Sequence, residues 1–302
     1  MSGYAFFWGC TIPARFPFIE KSTRLVLDRL GIEYHDLDGF TCCPEKSLVK
    51  NMNDDLWRVS AARNLAVAER KGHDITMACT GCYSTLKSVH SYLSTYPVKK
   101  KWVNDKLKTI NMELDSNISV KHLISVFLDD VGLTKIREKI VVPLKRMKIA
   151  VHGGCHLVRP SKSLRFDDPL KPQKYDQLIK GLGAVSLEYN TKMFCCGGSL
   201  DRVGQHENSL QMAAKKLSEL RERGADAITV VCPECFKAYD NNQFLLQRKT
   251  GEVYNIPVLT LQELMGLAFG FSSEELGLTQ HKIDTTPFVD KLGLKCKVSK
   301  VN

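Results

Sequence analysis

The chain has 302 residues, of which 43% are hydrophobic, 8% aromatic and 25% charged. That length predicts about two domains of ~100–200 residues each, and the composition excludes a disordered, collagen-like or coiled-coil chain. Lys and Arg number 43 against 33 Asp and Glu, for a net charge of +10, but no apolar run approaches the ~18 residues of a membrane span.

The N-terminus reads Met1-Ser-Gly-Tyr-Ala-Phe-Phe-Trp8, with no basic stretch before the apolar one. It is not a secretory signal, and a cytoplasmic location is expected. Apolar periodicity then predicts strands and helices in alternation. The first half reads as strand 4–8, helix 16–30, strand 32–37, helix 54–71, strand 75–79 and helix 83–95. Lys99-Lys100-Lys101 reads as a solvated loop rather than a nucleic-acid patch. Val120–Leu128 is apolar at helical spacing, and Pro143-Leu-Lys-Arg146 reads as a boundary. The second half reads as strand 148–152, helix 173–182, strand 184–189, helix 206–223, strand 227–232 and helix 236–248. Leu259–Leu267 is again apolar at helical spacing. Such alternation predicts parallel sheets with right-handed crossovers, and ligand sites beyond the carboxyl ends of the strands.

Eleven cysteines are the anomaly. In a reducing compartment, clustered cysteines point to metal or redox chemistry rather than a disulfide framework. Ten of them form a repeat. Cys10, Cys42, Cys43, Cys79 and Cys82 read C-x31-CC-x35-C-x2-C, and Cys155, Cys195, Cys196, Cys232 and Cys235 read C-x39-CC-x35-C-x2-C. The flanks repeat as well. Tyr4–Cys10 answers Lys148–Cys155, and Gly72–Cys82 answers Gly224–Cys235. The expected organisation is two homologous halves, 1–145 and 146–282, and a tail, 283–302, that carries Cys296. Every cysteine group of the repeat follows a predicted strand, so each set of five gathers at one rim.

Core packing accounts for a single buried cysteine such as Cys296, but not for a doubled pattern of five. Zinc takes four tetrahedral ligands, which leaves a fifth cysteine without a role and makes adjacent Cys-Cys awkward. Zinc at one of the two sites stays open. Iron–sulfur clusters fit the thiol count best. They would also absorb charge: a core of about +2 with five thiolates is about −3, so two of them bring the net charge to roughly +4. Glycines beside the cysteines (Gly9, Gly153, Gly154, Gly197 and Gly198) let backbone approach sulfur. Cys79 and Cys82 open a predicted helix, where free amides favour negative charge.

The five-cysteine module resembles that of the B-type subunits of heterodisulfide reductase, a family named for its CCG element. The second module carries it as Cys195-Cys196-Gly197, whereas the first reads Cys42-Cys43-Pro44. The chain has no C-x2-C-x2-C-x3-C run and so looks like the stand-alone form. The resemblance implies an α/β fold of two pseudo-symmetric Rossmann-like βαβ halves, each with one CCG module. It implies a non-cubane [4Fe–4S] cluster on each set of five cysteines, one cluster and one zinc being the alternative. It further implies reduction of the mixed disulfide of coenzyme M and coenzyme B, in methanogenesis, at the junction of the halves. Two one-electron centres suit a two-electron cleavage of a disulfide. An anionic substrate calls for cations, and Lys46, His152, His156 and Arg159 lie next to cysteines. His156 is also a candidate proton carrier.

No flavin, nicotinamide or P-loop fingerprint is present; Gly181-Leu-Gly183 lacks a third glycine at Ser186. Electrons therefore arrive from elsewhere. By resemblance the partners are a C-type subunit with cubane clusters and a flavin-containing A-type subunit, with a hydrogenase or formate dehydrogenase upstream. A sulfur-metabolism homologue acting on another disulfide or persulfide, and a non-catalytic zinc or electron-relay module, are the alternatives.

Overall fold

A computed structural model describes residues 3–294, and Cys296 lies outside them. The first half runs β1 (Tyr4–Phe6), α1 (Pro17–Leu30), β2 (Tyr34–His35), α2 (Asp54–Glu69), β3 (Asp74–Met77), α3 (Thr80–Thr95) and β4 (Val120–His122). The second runs β5 (Lys148–His152), α4 (Lys174–Gly181), β6 (Val185–Leu187), α5 (His206–Glu222), β7 (Ala227–Val230), α6 (Pro233–Thr250), β8 (Val258–Thr260) and α7 (Leu261–Ala268). The chain forms two four-stranded sheets, ordered β2-β1-β3-β4 and β6-β5-β7-β8. All pairings are parallel, with Ala5 opposite Ile75 and Ala150 opposite Ile228. The sequence repeat is thus a repeat of strand order and register. Ala5, Phe6, Ile75, Met77, Ile149, Ala150, Ile228 and Val230 are wholly buried. Central parallel strands are covered on both faces, which is why they read as unbroken apolar runs.

The helices have local causes. Asn53 caps α2 by accepting the Leu56 N–H at 2.9 Å, and Thr260 with Glu263 closes a capping box on α7. Three elements differ from the sequence expectation. Val120–His122 and Val258–Thr260 are strands, not the starts of helices. Each leads straight into a helix of the same apolar character, so a single helical period covers both. Lys99–Lys101 lie in the helix Pro97–Leu107 rather than a loop, because Pro97 fills its first turn.

The chain divides into two compact units that interleave along the sequence. The first holds the residues up to Arg15, Gly31–Gly132 and Gly154–Lys174. The second holds Phe16–Leu30, Leu133–Gly153 and the residues from Tyr175 onward. The compact-unit boundaries therefore differ from the repeat boundaries at 16–30, 133–145 and 154–174. The cause for α1 lies in its apolar face. Val26, Leu27 and Leu30 are buried, Arg29 donates to the Phe269 carbonyl at 3.2 Å, and Phe18 meets the Phe236 ring at 5.3 Å.

In the second unit His281 Nε2 lies 2.9 Å from Glu263 Oε1, with neither side chain exposed. Asp240 is the other acid acting on this ring, and its carboxylate accepts the Lys282 and Ile283 N–H groups. Burial pulls the His281 pKa down, but Glu263 outweighs burial and holds it above the ordinary value. A folded pKa above the unfolded one means stability that is complete below about 6.5 and fades as pH rises through the folded value. His281→Gln should therefore flatten the fall in denaturation midpoint between pH ~6 and pH ~9; an unchanged fall would contradict the pairing.

Candidate metal centres

Each parallel strand ends on the same edge of its sheet, and each cysteine group follows such an end. In the first unit Cys10 follows β1, the Cys42-Cys43 pair follows β2, and Cys79 is the N-cap of α3, with Cys82 in its first turn. The sulfurs meet as a chain: Cys43 bonds both Cys42 and Cys82, and Cys82 bonds Cys79. Those two hydrogen bonds pull the Cys43 thiol well below the usual thiol range. The bonds to Cys43 and Cys79, with burial, push Cys82 well above it. A Cβ on Gly9 would stand 3.0 Å from Cys82 Sγ, so the loop before Cys10 needs glycine to pass that sulfur.

The second unit repeats the chain of sulfurs. Cys196 bonds Cys195 and Cys235, and Cys235 bonds Cys232. Bonding to Cys195 and burial raise the Cys196 thiol, and bonding to Cys196 and Cys232 raises Cys235. Cys232 caps α6 as Cys79 caps α3. Exposure repeats too: Cys43, Cys79, Cys82, Cys196, Cys232 and Cys235 are buried, while Cys10, Cys42, Cys155 and Cys195 are more open. Cys155 opens the short helix Cys155–Val158, in a segment of the first unit.

The two sites differ at the residue after the pair. Gly197 adopts φ 83°, and its N–H donates to Cys195 Sγ at 3.4 Å. The Gly198 N–H donates to Cys196 Sγ at 3.4 Å. A Cβ on Gly197 would meet the Ser209 backbone at 2.9 Å. Pro44 has no N–H to give. Its carbonyl instead accepts Trp57 Nε1 at 3.1 Å and Thr85 Oγ1 at 3.2 Å. Asn64 holds the same loop, donating to the Cys42 carbonyl at 3.1 Å and accepting the Thr41 N–H at 2.9 Å.

The cations named from sequence take separate positions. Lys46 donates to Ser84 Oγ and Ser88 Oγ on α3; burial and Lys50 draw its pKa down to about 8. Cys155 and Cys43 act on it in the opposite sense. His156 is half-buried, one residue past Cys155. Arg159 is exposed, donates to the Pro169 carbonyl at 3.4 Å, and accepts Ser84 Oγ at its own carbonyl. His152 is buried, and a ring nitrogen lies within 4.8 Å of Cys196 and Cys235 Sγ. Burial and Lys216 hold its pKa well below the ordinary value.

Lys216 was not among the expected residues, although it is wholly buried. It donates to the Lys192 carbonyl and sits with His152 Nδ1, each at 3.0 Å. Burial draws its pKa down to about 7, against the pull of Cys235, Cys196 and Cys195. The signal was present: Ala213, Lys216, Leu217 and Leu220 share the buried stripe of α5.

The donor sets fit a thiophilic metal group: soft sulfurs in contact, glycines where backbone passes close and, at the second set, backbone N–H groups aimed at sulfur. The model of the CCG cysteine-rich domain matches residues 4–87 and 149–238. The chain belongs to the CCG cysteine-rich domain family, alongside the B-type subunits of heterodisulfide reductase. It is 38% identical over 97% of both chains to the B subunit of the ferredoxin/F420H2-dependent CoB-CoM heterodisulfide reductase of Methanosarcina acetivorans. It is 34% identical, over 91% of this chain and 93% of the relative, to a protein of Archaeoglobus profundus described as like the heterodisulfide reductase B subunit. It is 30% identical, over 94% of this chain and 98% of the relative, to the 8-methylmenaquinol:fumarate reductase membrane anchor subunit of Wolinella succinogenes. A solved structure of a hypothetical protein from Helicobacter pylori matches in fold, with a TM-score of 0.72 at 18% identity, over 93% of this chain and 52% of that one. Among the described residues no helix is long and apolar enough to cross a membrane.

Gly197→Ala should cost ~1–3 kcal/mol through its left-handed backbone alone, with the Ser209 clash in addition. Calorimetry should show a drop of several degrees in Tm, against a much smaller drop for Pro44→Ala. Equal drops would contradict the asymmetry of the two loops.

Proposed function

We propose that the chain is the disulfide-reducing subunit of a cytoplasmic heterodisulfide reductase, with the mixed disulfide of coenzyme M and coenzyme B as its substrate in methanogenesis. Cys10, Cys42, Cys43, Cys79 and Cys82 would hold one non-cubane [4Fe–4S] cluster. Cys155, Cys195, Cys196, Cys232 and Cys235 would hold the other. The observation that carries this reading is the duplicated chain of sulfurs, 42–43–82–79 and 195–196–235–232. When bound, the clusters supply single electrons, two of which, with two protons, convert one disulfide into two thiols.

The chain's own residues do the holding and the charging. The thiolates fix the clusters, and the Gly197 and Gly198 N–H groups stabilise negative sulfur. Lys46 is anchored on two serine hydroxyls, near Cys155 and Cys43, one cysteine from each set. It supplies a fixed cation for an anionic arm of the substrate, which bears sulfonate, phosphate and carboxylate groups. Arg159 supplies a second cation, and the half-buried His156 next to Cys155 is the candidate proton carrier. By the likeness to B subunits of multisubunit reductases, electrons arrive from a C-type subunit with cubane clusters. A flavin-containing A-type subunit and a hydrogenase or formate dehydrogenase stand upstream of it.

The similarity to the Wolinella succinogenes fumarate reductase subunit favours a second reading, an electron-relay subunit without disulfide chemistry. Turnover decides between them. Anaerobically purified protein, supplied with a reduced viologen, should reduce the mixed disulfide. Cys82→Ser and Cys235→Ser should each abolish that turnover. Lys46→Met should raise KM by ~10–100-fold with a smaller effect on kcat, as expected for one lost charge-assisted hydrogen bond. Cluster-loaded protein that leaves the disulfide intact would overturn the reductase reading in favour of the relay.

A further inference from the structure

At the sulfurs of the second unit, two buried polar groups have no partner among the described residues, and the first unit carries apolar residues in their place. His152 is 2% exposed, and its Nε2 is buried without a hydrogen bond. Tyr239 is wholly buried, and its hydroxyl is likewise without a partner. The two rings meet edge to face at 5.0 Å. A ring nitrogen of His152 lies within 4.8 Å of Cys196 and Cys235 Sγ, and these two cysteines are the charged groups that act most strongly on Tyr239. A buried polar atom left unpaired is destabilising. Two of them beside one set of thiols imply an acceptor that arrives with the metal group.

The hydrogen position on His152 follows from Lys216. Its Nζ sits among a carbonyl oxygen, the His152 Nδ1 and the faces of two tyrosine rings, Tyr189 at 5.3 Å and Tyr239 at 5.9 Å. Protonated, it is a cation held by these groups. With Lys216 as an ammonium, which has donors only, Nδ1 accepts and the ring proton lies on Nε2. His152 Nε2 then carries a proton, is buried, and has no partner among the described residues.

The first cysteine set has different neighbours at the matching positions. Phe7 precedes Cys10 by three residues as His152 precedes Cys155, and Leu86 follows Cys82 by four as Tyr239 follows Cys235. Phe7 and Leu86 are both buried and offer no donor. Pro44 removes a further N–H that Gly197 supplies.

We propose that His152 and Tyr239 donate hydrogen bonds to the sulfur of the centre held by the second cysteine set, and make that centre the easier of the two to reduce. Hydrogen bonds to sulfur offset the charge that a cluster gains on reduction, and burial strengthens them. They act on the reaction by setting the order in which the two centres take electrons. This inference rests on the reading of both sites as iron–sulfur centres.

The test is an EPR-monitored redox titration of the full chain with both sites loaded, after iron and zinc analysis. The wild type should show two separated potentials. His152→Phe and Tyr239→Phe should each move the higher one down, leaving the lower one and the iron content unchanged. His152→Gln, which keeps an amide N–H, should recover part of the shift. Coincident wild-type potentials would overturn the proposal, as would variants that move neither potential. Loss of half the iron in His152→Phe would overturn it by making His152 a ligand. Zinc in place of iron at the second set would overturn the cluster reading itself, before any variant is compared.

Discussion

Everything at these sites depends on one constraint: parallel strands deliver their carboxyl ends to the same edge of a sheet. Thiols from the loops after β1, β2 and β3 can then meet, although as many as 72 residues separate Cys10 from Cys82. The second sheet uses the same strand order and brings Cys195, Cys196, Cys232 and Cys235 together in the same way. Sulfurs that touch one another inside a folded unit repel when ionised. A metal group removes that repulsion, so metal binding and stability are coupled in each unit.

The duplication preserves the sulfurs and changes what surrounds them. Glycine after the second Cys-Cys pair donates to sulfur, whereas proline after the first turns its carbonyl to Trp57 and Thr85. Polar His152 and Tyr239 stand where Phe7 and Leu86 stand in the first unit. Lys46 follows the first pair by three residues, where the matching position of the second is Ser199, and it is held near Cys43 and Cys155. The second module is therefore the richer in donors to sulfur.

Much of this was legible in the sequence. The equal 35-residue gap in the two halves exposed the repeat, and apolar runs before the cysteines located the central strands. Helix limits at 17–30, 54–69 and 206–222 lie close to those expected, because period and caps agree there. The edge strands β4 and β8 were not legible. At three residues each, they merge with the apolar helices that follow. The packing of α1 in the second unit was invisible for another reason: an amphipathic helix shows that it has a partner, not which one. The place of Lys216 on an apolar stripe was legible, but its role and that of Tyr239 depend on His152, and only the fold shows the three together.

Metal content tests the central claim most directly. Iron, acid-labile sulfide and zinc should be determined on anaerobically purified chain. Two [4Fe–4S] sites predict about eight irons and eight sulfides per chain, with no zinc. About four irons and one zinc would contradict the paired-cluster account, and zinc alone would remove its redox chemistry altogether.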